Sequence, residues 1–247
     1  MNGLTVSKLT LVRNGAALVD GVSLEFSATG SVAIIGPNGA GKSSLLKMMA
    51  AVLAPTAGSV AIAGGDIRQL SGAERARLVG YVPQQFEPHW DFSVTELIQL
   101  GLSRAGQAAA ISVDDVLVQF ELTSLRERRW ASLSGGERGR VLMAMVQSTK
   151  PKILLADEPG ASLDIQHRLQ LSRALADYGR DHLAIVVMHD LDLAFRFFER
   201  VIVMDRGKIV ADSPAAELFR EPLLDATFGV RFERLRSASV QSLYPLD

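Results

Sequence analysis

The chain has 247 residues, of which 48% are hydrophobic, and it carries 26 basic against 27 acidic side chains. This length suits one α/β domain with an insertion, and the balanced charge disfavours a non-specific nucleic-acid binder, so we expect no nucleic acid among its partners. The absence of cysteine excludes disulfides, and without a signal pattern or an apolar run near roughly 18 residues the chain is expected to stay on the cytoplasmic side.

Two stretches of alternating apolar and polar residues open the chain, at 4–12 and 21–26. Such a pair is typical of an antiparallel hairpin. A further short strand is expected at 59–63. The predicted turns are Asn14-Gly15, 55–58 and 64–66. Together these segments predict a small antiparallel β-subdomain.

A phosphate-binding loop lies between an apolar strand at 32–35 and a helical pattern at 44–50. Its spacing, G-x4-G-K-S, lets the backbone wrap closely, so that N–H groups and the positive end of the helix meet phosphate oxygens. We expect Lys42 to reach the β- and γ-phosphates of ATP and Ser43 to hold Mg²⁺. The candidate ATP-binding residues of this loop are Gly36, Pro37, Asn38, Gly39, Ala40, Gly41, Lys42, Ser43 and Ser44.

The middle of the chain is mostly helical in pattern. Ser71 and Glu74 have the spacing of a capping box, which predicts a helix that a strand at 80–82 follows. From Ser93 to Trp130, apolar residues recur at helical spacing. The predicted subdivision is a nucleotide-binding core with the β-subdomain at 1–83 and 151–247, and an inserted helical subdomain at 84–150.

Acidic side chains follow an apolar strand at 152–156. Because open α/β sheets bind ligands outside the carboxyl ends of their strands, Asp157 and Glu158 are expected beside the phosphate loop. Two carboxylates there can divide the work, with Asp157 binding Mg²⁺ through its water shell and Glu158 polarising the attacking water. A second apolar strand at 183–188 ends in His189. A lone histidine is more often structural, but at this position it is expected to face the γ-phosphate.

These motifs, together with Leu133-Ser134-Gly135-Gly136-Glu137, resemble those of the ATP-binding-cassette ATPases, the motor subunits of ABC transporters. The LSGGE segment is the most diagnostic, because many other NTPases share the phosphate loop. The resemblance implies an α/β fold, namely a P-loop NTPase (RecA-like) core with an antiparallel β-subdomain and an inserted α-helical subdomain. The resemblance implies Walker A at 36–43 and Walker B at 153–157. It implies three catalytic residues, namely the glutamate Glu158, the Q-loop residue Gln84, which would also bind Mg²⁺, and the switch histidine His189. The implied D-loop residues are Ser162 and Asp164.

The resemblance also implies partners. Two copies would form a head-to-tail dimer, in which ATP and Mg²⁺ bound by one subunit are covered by the signature of the other, Leu133, Ser134, Gly135, Gly136 and Glu137. Such a dimer would drive transmembrane permease subunits from the cytoplasmic face of the cell (inner) membrane, where this chain would be peripheral. A periplasmic or surface solute-binding protein would deliver the solute.

Two segments indicate a branch of the family. Residues 91–97 and 224–230 look like those of importers for iron–siderophore complexes, haem and cobalamin. A zinc or manganese importer is an alternative, and a soluble ABC ATPase is a less favoured one, because such proteins usually join two cassettes or carry coiled-coil arms. The presence of Glu158 and His189 favours an active ATPase over a binding module.

The sequence also offers candidates for contacts with adenine and with a permease. The family usually stacks an aromatic residue of the first hairpin on adenine, and residues 11–14 contain none. The guanidinium of Arg13 is the nearest available stacking surface, or else this side chain is simply exposed. Three aromatic residues after Gln84 are either docking anchors for a permease or ordinary core. They are Phe86, Trp90 and Phe92.

Overall fold

The computed structural model of the chain describes residues 2–104, 111–161, 163–236 and 241–246. The strands are β1 (Asn2–Arg13), β2 (Ala16–Ser27), β3 (Gly30–Ile35), β4 (Ala57–Ile62), β5 (Gly65–Asp66), β6 (Val79–Val82), β7 (Ile153–Asp157), β8 (Leu183–Val187), β9 (Arg200–Asp205), β10 (Lys208–Pro214), β11 (Arg231–Arg236) and β12 (Gln241–Leu246). The α-helices are α1 (Lys42–Met49), α2 (Gly72–Leu78), α3 (Val94–Ser103), α4 (Val113–Gln119), α5 (Gly135–Gln147), α6 (Ile165–Tyr178), α7 (Leu191–Phe197), α8 (Ala215–Leu218) and α9 (Leu223–Phe228).

The central sheet has the strand order β10-β9-β3-β8-β7-β6. Strands β9, β3, β8, β7 and β6 run parallel to one another, whereas β10 is antiparallel to β9. Strands β7 and β8 are buried along their whole length, which explains their unbroken apolar sequences. The carboxyl ends of the parallel strands therefore meet at one edge of the sheet, where ligands bind in open α/β folds.

A second, antiparallel sheet has the order β2-β1-β4-β5. The predicted hairpin and the predicted third strand are confirmed, and the hairpin strands are longer than expected. The predicted turn at 64–66 is wrong, because Gly65 and Asp66 form β5 and pair with Ile62 and Ala61. The chain reverses one residue earlier, at Ala63 and Gly64, whose φ angles of 49° and 86° suit a tight hairpin turn.

Helices α3, α4 and α5 lie between β6 and β7, in the segment predicted to be helical. Each begins at a serine whose hydroxyl accepts the N–H of an acidic residue three positions later, while that carboxylate accepts the N–H of the serine. The capping box predicted at Ser71 and Glu74 is confirmed at the start of α2. These reciprocal bonds satisfy two of the otherwise unpaired N–H groups at each helix start. None of the described helices is long and apolar enough to cross a bilayer.

A C-terminal hairpin, formed by β11 and β12, was not anticipated from the sequence. It docks on α7 through Asp192, whose carboxylate accepts the backbone N–H of Leu243 at 2.7 Å and the hydroxyl of Ser242 at 2.9 Å. An ion pair of 2.6 Å between Arg234 and Asp225 ties β11 to α9. Charged residues interrupt the alternation of apolar and polar residues in β11. The hairpin therefore depends on its contacts with α7 and α9 more than on a strand pattern in its own sequence.

Candidate nucleotide-binding and catalytic site

The phosphate loop connects β3 to α1 and requires glycine for steric reasons. A Cβ atom on Gly36, whose φ is 149°, would lie 2.1 Å from the carbonyl oxygen of Met204. A Cβ atom on Gly41, whose φ is 97°, would lie 2.3 Å from the carbonyl oxygen of Leu18. The loop is therefore held between the end of β9 and the first hairpin, and larger residues at these two positions would displace it.

Helix α1 begins differently from α3, α4 and α5. Its N-cap residue is Gly41, which provides no side-chain hydrogen bond to the first turn. The N–H groups of this turn point outward from the start of the helix, where the helix dipole is positive. This is the arrangement that suits a phosphate group.

The ammonium group of Lys42 lies inside the loop. Its Nζ donates hydrogen bonds of 2.8 Å to the carbonyl of Gly36 and 2.9 Å to that of Pro37, and the residue is 5% exposed. Burial lowers the pKa of Lys42, while the negative charges of Glu158 and Asp157 oppose that shift. Because an ammonium group has three N–H donors, the two loop carbonyls leave one donor for a phosphate oxygen.

Ser43 and Asp157 bring the loop and β7 together. The Ser43 hydroxyl donates a hydrogen bond of 2.9 Å to Oδ1 of Asp157, which is 1% exposed. Burial raises the pKa of Asp157, and the bond from Ser43 opposes that shift. A hydroxyl and a carboxylate are hard oxygen donors, and Mg²⁺ is usually held by one or two carboxylates together with phosphates and water. The chemistry of this pair therefore fits Mg²⁺.

Glu158 is held by groups from two other loops. Gln84 Nε2 donates to its Oε2 at 2.6 Å, and His189 Nε2 lies 2.5 Å from its Oε1. Gln84 follows β6, Glu158 follows β7 and His189 follows β8, which are three neighbouring strands of the sheet. Glu158 also has a left-handed φ of 50°, a conformation rare for residues other than glycine and found preferentially at functional sites.

The signature segment lies at the start of α5. Ser134 caps this helix, accepting the N–H of Glu137 at 3.3 Å, and Ser134 and Gly135 are exposed. The bond from the backbone N–H of Ser134 lowers the pKa of Glu137. Leu133 is buried and Gly136 is half-buried, so the chain presents mainly the polar part of the segment to solvent.

A cleft of about 390 Å³ separates the segment after β6 from α5. Its lining includes Gln84, Glu158 and Gly135. The three aromatic residues after Gln84 divide into two groups. Phe86 packs edge-to-face on Trp130 with ring centroids 5.4 Å apart, and Phe92 is also partly buried against the core. Trp90 is 75% exposed. The core interpretation therefore suits Phe86 and Phe92, and Trp90 remains the docking candidate.

Of the two predicted D-loop residues, the structure describes Asp164. Asp164 is the N-cap of α6 and accepts the backbone N–H of His167 at 2.9 Å, a bond that lowers the pKa of Asp164. The other residue, Ser162, lies outside the described residues. Sequence reasoning missed Arg168, whose Nη2 donates to the carbonyl of Leu163 at 2.9 Å and whose Nη1 lies 3.9 Å from Asp190. The sequence signal that could have identified Arg168 was its position one helical turn after Asp164.

Arg13 lies at the end of β1 and is exposed. The same hairpin approaches the phosphate loop, because the carbonyl of Leu18 is next to Gly41. Arg13 therefore belongs to a hairpin that lies next to the phosphate loop.

Comparison with known proteins gives a consistent result. Residues 19–161 match a family model described as ABC transporter. The hemin import ATP-binding protein HmuV of Nitrobacter winogradskyi is 37% identical over 232 residues, which cover 90% of this chain and 86% of that protein. The cobalamin import ATP-binding protein BtuD of Halobacterium salinarum is 34% identical over 236 residues, which cover 92% of this chain and 59% of that longer protein.

A solved structure supports the same conclusion for the fold. A dimeric ATP-binding cassette in a post-hydrolysis state, bound to ADP and Pi, has a TM-score of 0.76 and 25% identity to this chain. The match covers 86% of this chain and 98% of that structure. The predicted fold class, an α/β cassette with an antiparallel sheet and a helical part, is thereby confirmed.

Proposed function

Since this chain belongs to the ABC transporter family and is an ATPase of that family, we propose that it powers the import of haem or of a related iron chelate or cobalamin. The import proteins for hemin and cobalamin that resemble it over most of its length support this substrate class. The observation that carries the catalytic assignment is the contact of the Glu158 carboxylate with both Gln84 and His189 beside the phosphate loop. A zinc or manganese importer is the alternative to test.

ATP binding is assigned to the loop 36–44. Its backbone N–H groups and the start of α1 would receive the phosphate oxygens, and the third donor of the Lys42 ammonium would bind the β- and γ-phosphates. Ser43, Asp157 and Gln84 would hold Mg²⁺, which neutralises charge on the phosphates when bound. Since phosphoryl transfer leaves little covalent work to the protein, positioning by these residues is their main contribution.

Hydrolysis is assigned to Glu158. Its carboxylate would accept a proton from the attacking water. Gln84 and His189 restrain that carboxylate from either side. His189, which follows β8, would place its imidazole near the γ-phosphate.

The working assembly would be a head-to-tail dimer attached to a permease at the cytoplasmic face of the membrane. Ser134 and Gly136 of one copy would cover the ATP that Lys42 and Ser43 of the other copy bind. The exposed polar start of α5 supports this role, as does the dimeric state of the related cassette bound to ADP and Pi. Asp164 and Ser162 would lie at the same interface. A solute-binding protein would supply the permease, and Trp90 would contact the permease beside the cleft.

The transported solute can be tested directly. The chain would be purified together with its permease, and ATP hydrolysis would be measured with the loaded solute-binding protein. The panel would contain haem, an iron–siderophore complex, cobalamin, zinc and manganese. We expect stimulation by haem or by a related chelate or corrinoid. Stimulation by zinc or manganese alone would overturn the proposed substrate class and favour the alternative.

Gln84→Ala is expected to reduce the coupling between solute and hydrolysis more than the affinity for ATP. Gln84 contacts Glu158 and lines the cleft next to α5, so it connects the catalytic edge to the helical part of the chain. Solute-stimulated hydrolysis and ATP affinity would be measured in the same preparation. A loss of ATP affinity as large as that of a Lys42 variant would contradict this role.

Arg13→Ala is expected to weaken ATP binding by several-fold if the guanidinium stacks on adenine, since cation–π contacts at exposed sites contribute about 0.5–1 kcal/mol. Arg13→Lys is the matched control, because it keeps the charge and removes the planar stacking surface. Dissociation constants for ATP and GTP would be compared. Unchanged constants in Arg13→Ala would show that this side chain is only an exposed residue.

A further inference from the structure

Two buried polar atoms near the predicted metal ligands have no hydrogen-bond partner. Among the described residues, four buried side-chain nitrogen or oxygen atoms lack one, and two of the four are the hydroxyl of Tyr81 and Oδ2 of Asp157. Unpaired buried polar groups are uncommon in folded proteins and call for an explanation. A donor and an acceptor left unpaired in the same part of the protein suggest that each is the partner of the other.

The register of the sheet explains why these two groups meet. Strand β6 pairs in parallel with β7, so that Tyr81 lies opposite Leu155. Side chains two positions apart on a strand point to the same face, so Asp157 continues the face that Leu155 occupies. Tyr81 packs against the buried cluster that contains Leu155 on this face. The phenol is therefore a diagonal neighbour of Asp157, at a separation that a long aromatic side chain can span.

The same face of the sheet is covered by α1. Leu45 and Leu46 of this helix belong to the cluster against which Tyr81 packs, and Ser43 in its first turn donates to Oδ1 of Asp157. One oxygen of the Asp157 carboxylate therefore has a donor and the other has none. Oδ1 is used by Ser43, the other predicted Mg²⁺ ligand, and Oδ2 is left for the phenol. The phenol of Tyr81 has one O–H group, which can donate to a carboxylate oxygen.

We infer that Tyr81 is a positioning residue for Mg²⁺, whose hydroxyl is placed to donate to Oδ2 of Asp157 and so to fix the plane of the carboxylate with Oδ1 toward Ser43. This inference rests on the proposed role of Ser43 and Asp157 in holding Mg²⁺. Groups that orient a metal ligand commonly change metal affinity when they are removed, although they do not touch the metal. The sequence alone does not identify Tyr81, because it reads as one more apolar residue of a strand.

The test compares Tyr81→Phe with a matched control. Phenylalanine keeps the ring and its packing, so that the hydroxyl is the only group lost. Tyr178→Phe removes a second buried hydroxyl, which donates to the carbonyl of Pro151 at 2.6 Å and lies at the end of α6. Both substitutions would be made in a Glu158→Gln parent, so that ATP persists during the measurement. Mn²⁺ would replace Mg²⁺, and its binding to the protein–ATP complex would be followed by electron paramagnetic resonance.

We expect Tyr81→Phe to weaken Mn²⁺ binding to the protein–ATP complex by about tenfold, the lower end of the range for groups that orient a metal ligand. The affinity for ATP without metal should equal that of the parent. Tyr178→Phe should match the parent in both measurements. A general loss of structure would lower both affinities, and thermal unfolding of the variants would reveal it.

Equal Mn²⁺ affinity in Tyr81→Phe and the parent would overturn the inference about Tyr81. A parent that binds ATP equally well with and without metal would instead contradict the proposed role of Ser43 and Asp157. Should Tyr81→Phe fail to fold, Tyr81→Leu lacks the hydroxyl equally, and the same two comparisons apply to it.

Discussion

Glu158→Gln is expected to lower ATP hydrolysis by at least ~10²–10⁴-fold, which is the usual contribution of a positioned general base. Glutamine has the size and reach of glutamate but cannot accept the proton of the attacking water. One side-chain oxygen remains to accept a bond from Gln84, so the loops around the site should keep their positions. ATP binding should therefore survive. The measurement is the hydrolysis rate together with the ATP dissociation constant.

The same variant should accumulate as an ATP-bound dimer, since in the proposed assembly ATP joins the two copies and the variant would no longer remove it. Size-exclusion chromatography with saturating Mg²⁺ and ATP would detect this dimer. Glu121→Gln is a matched control, because Glu121 also has a left-handed backbone, with φ of 55°, but its side chain is 82% exposed. Hydrolysis at the wild-type rate, or a monomer under these conditions, would contradict the role assigned to Glu158.

Lys42→Met is expected to weaken ATP binding by about 10–10²-fold, because a hydrogen bond to a charged group contributes about 1.5–3 kcal/mol. Methionine preserves the apolar stem of the buried side chain and removes only the ammonium group. The proposed ATP-dependent dimer should disappear together with ATP binding. Isothermal titration with ATP and chromatography of the mixture would measure both effects.

Lys208→Met provides the control for this change, since the ammonium of Lys208 is exposed and pairs with Asp20 at 3.3 Å. It should bind ATP as the wild type does. The comparison with Glu158→Gln is the more informative one. Lys42→Met could instead bind ATP and form the dimer but fail to hydrolyse ATP. That result would contradict the assignment of nucleotide binding to Lys42 and of hydrolysis to Glu158.

Several features of this protein could be predicted from the sequence because they depend on neighbouring residues. The phosphate loop needs glycines at fixed spacing, and the close approach of Gly36 to the carbonyl of Met204 shows why no other residue fits there. The capping box at Ser71 was predicted for the same reason, since a helix start is set by a few adjacent side chains. The first hairpin followed from its alternation and its Asn14 turn.

The order of strands was decided only by the tertiary structure. Gln84, Glu158 and His189 are far apart in the chain, and they meet because β6, β7 and β8 are neighbours in the sheet. The sequence determined that these residues end strands, but pairing between distant strands depends on how whole faces are covered, which no local pattern encodes. The placement of Tyr81 diagonal to Asp157 and the docking of the C-terminal hairpin on Asp192 arise in the same way.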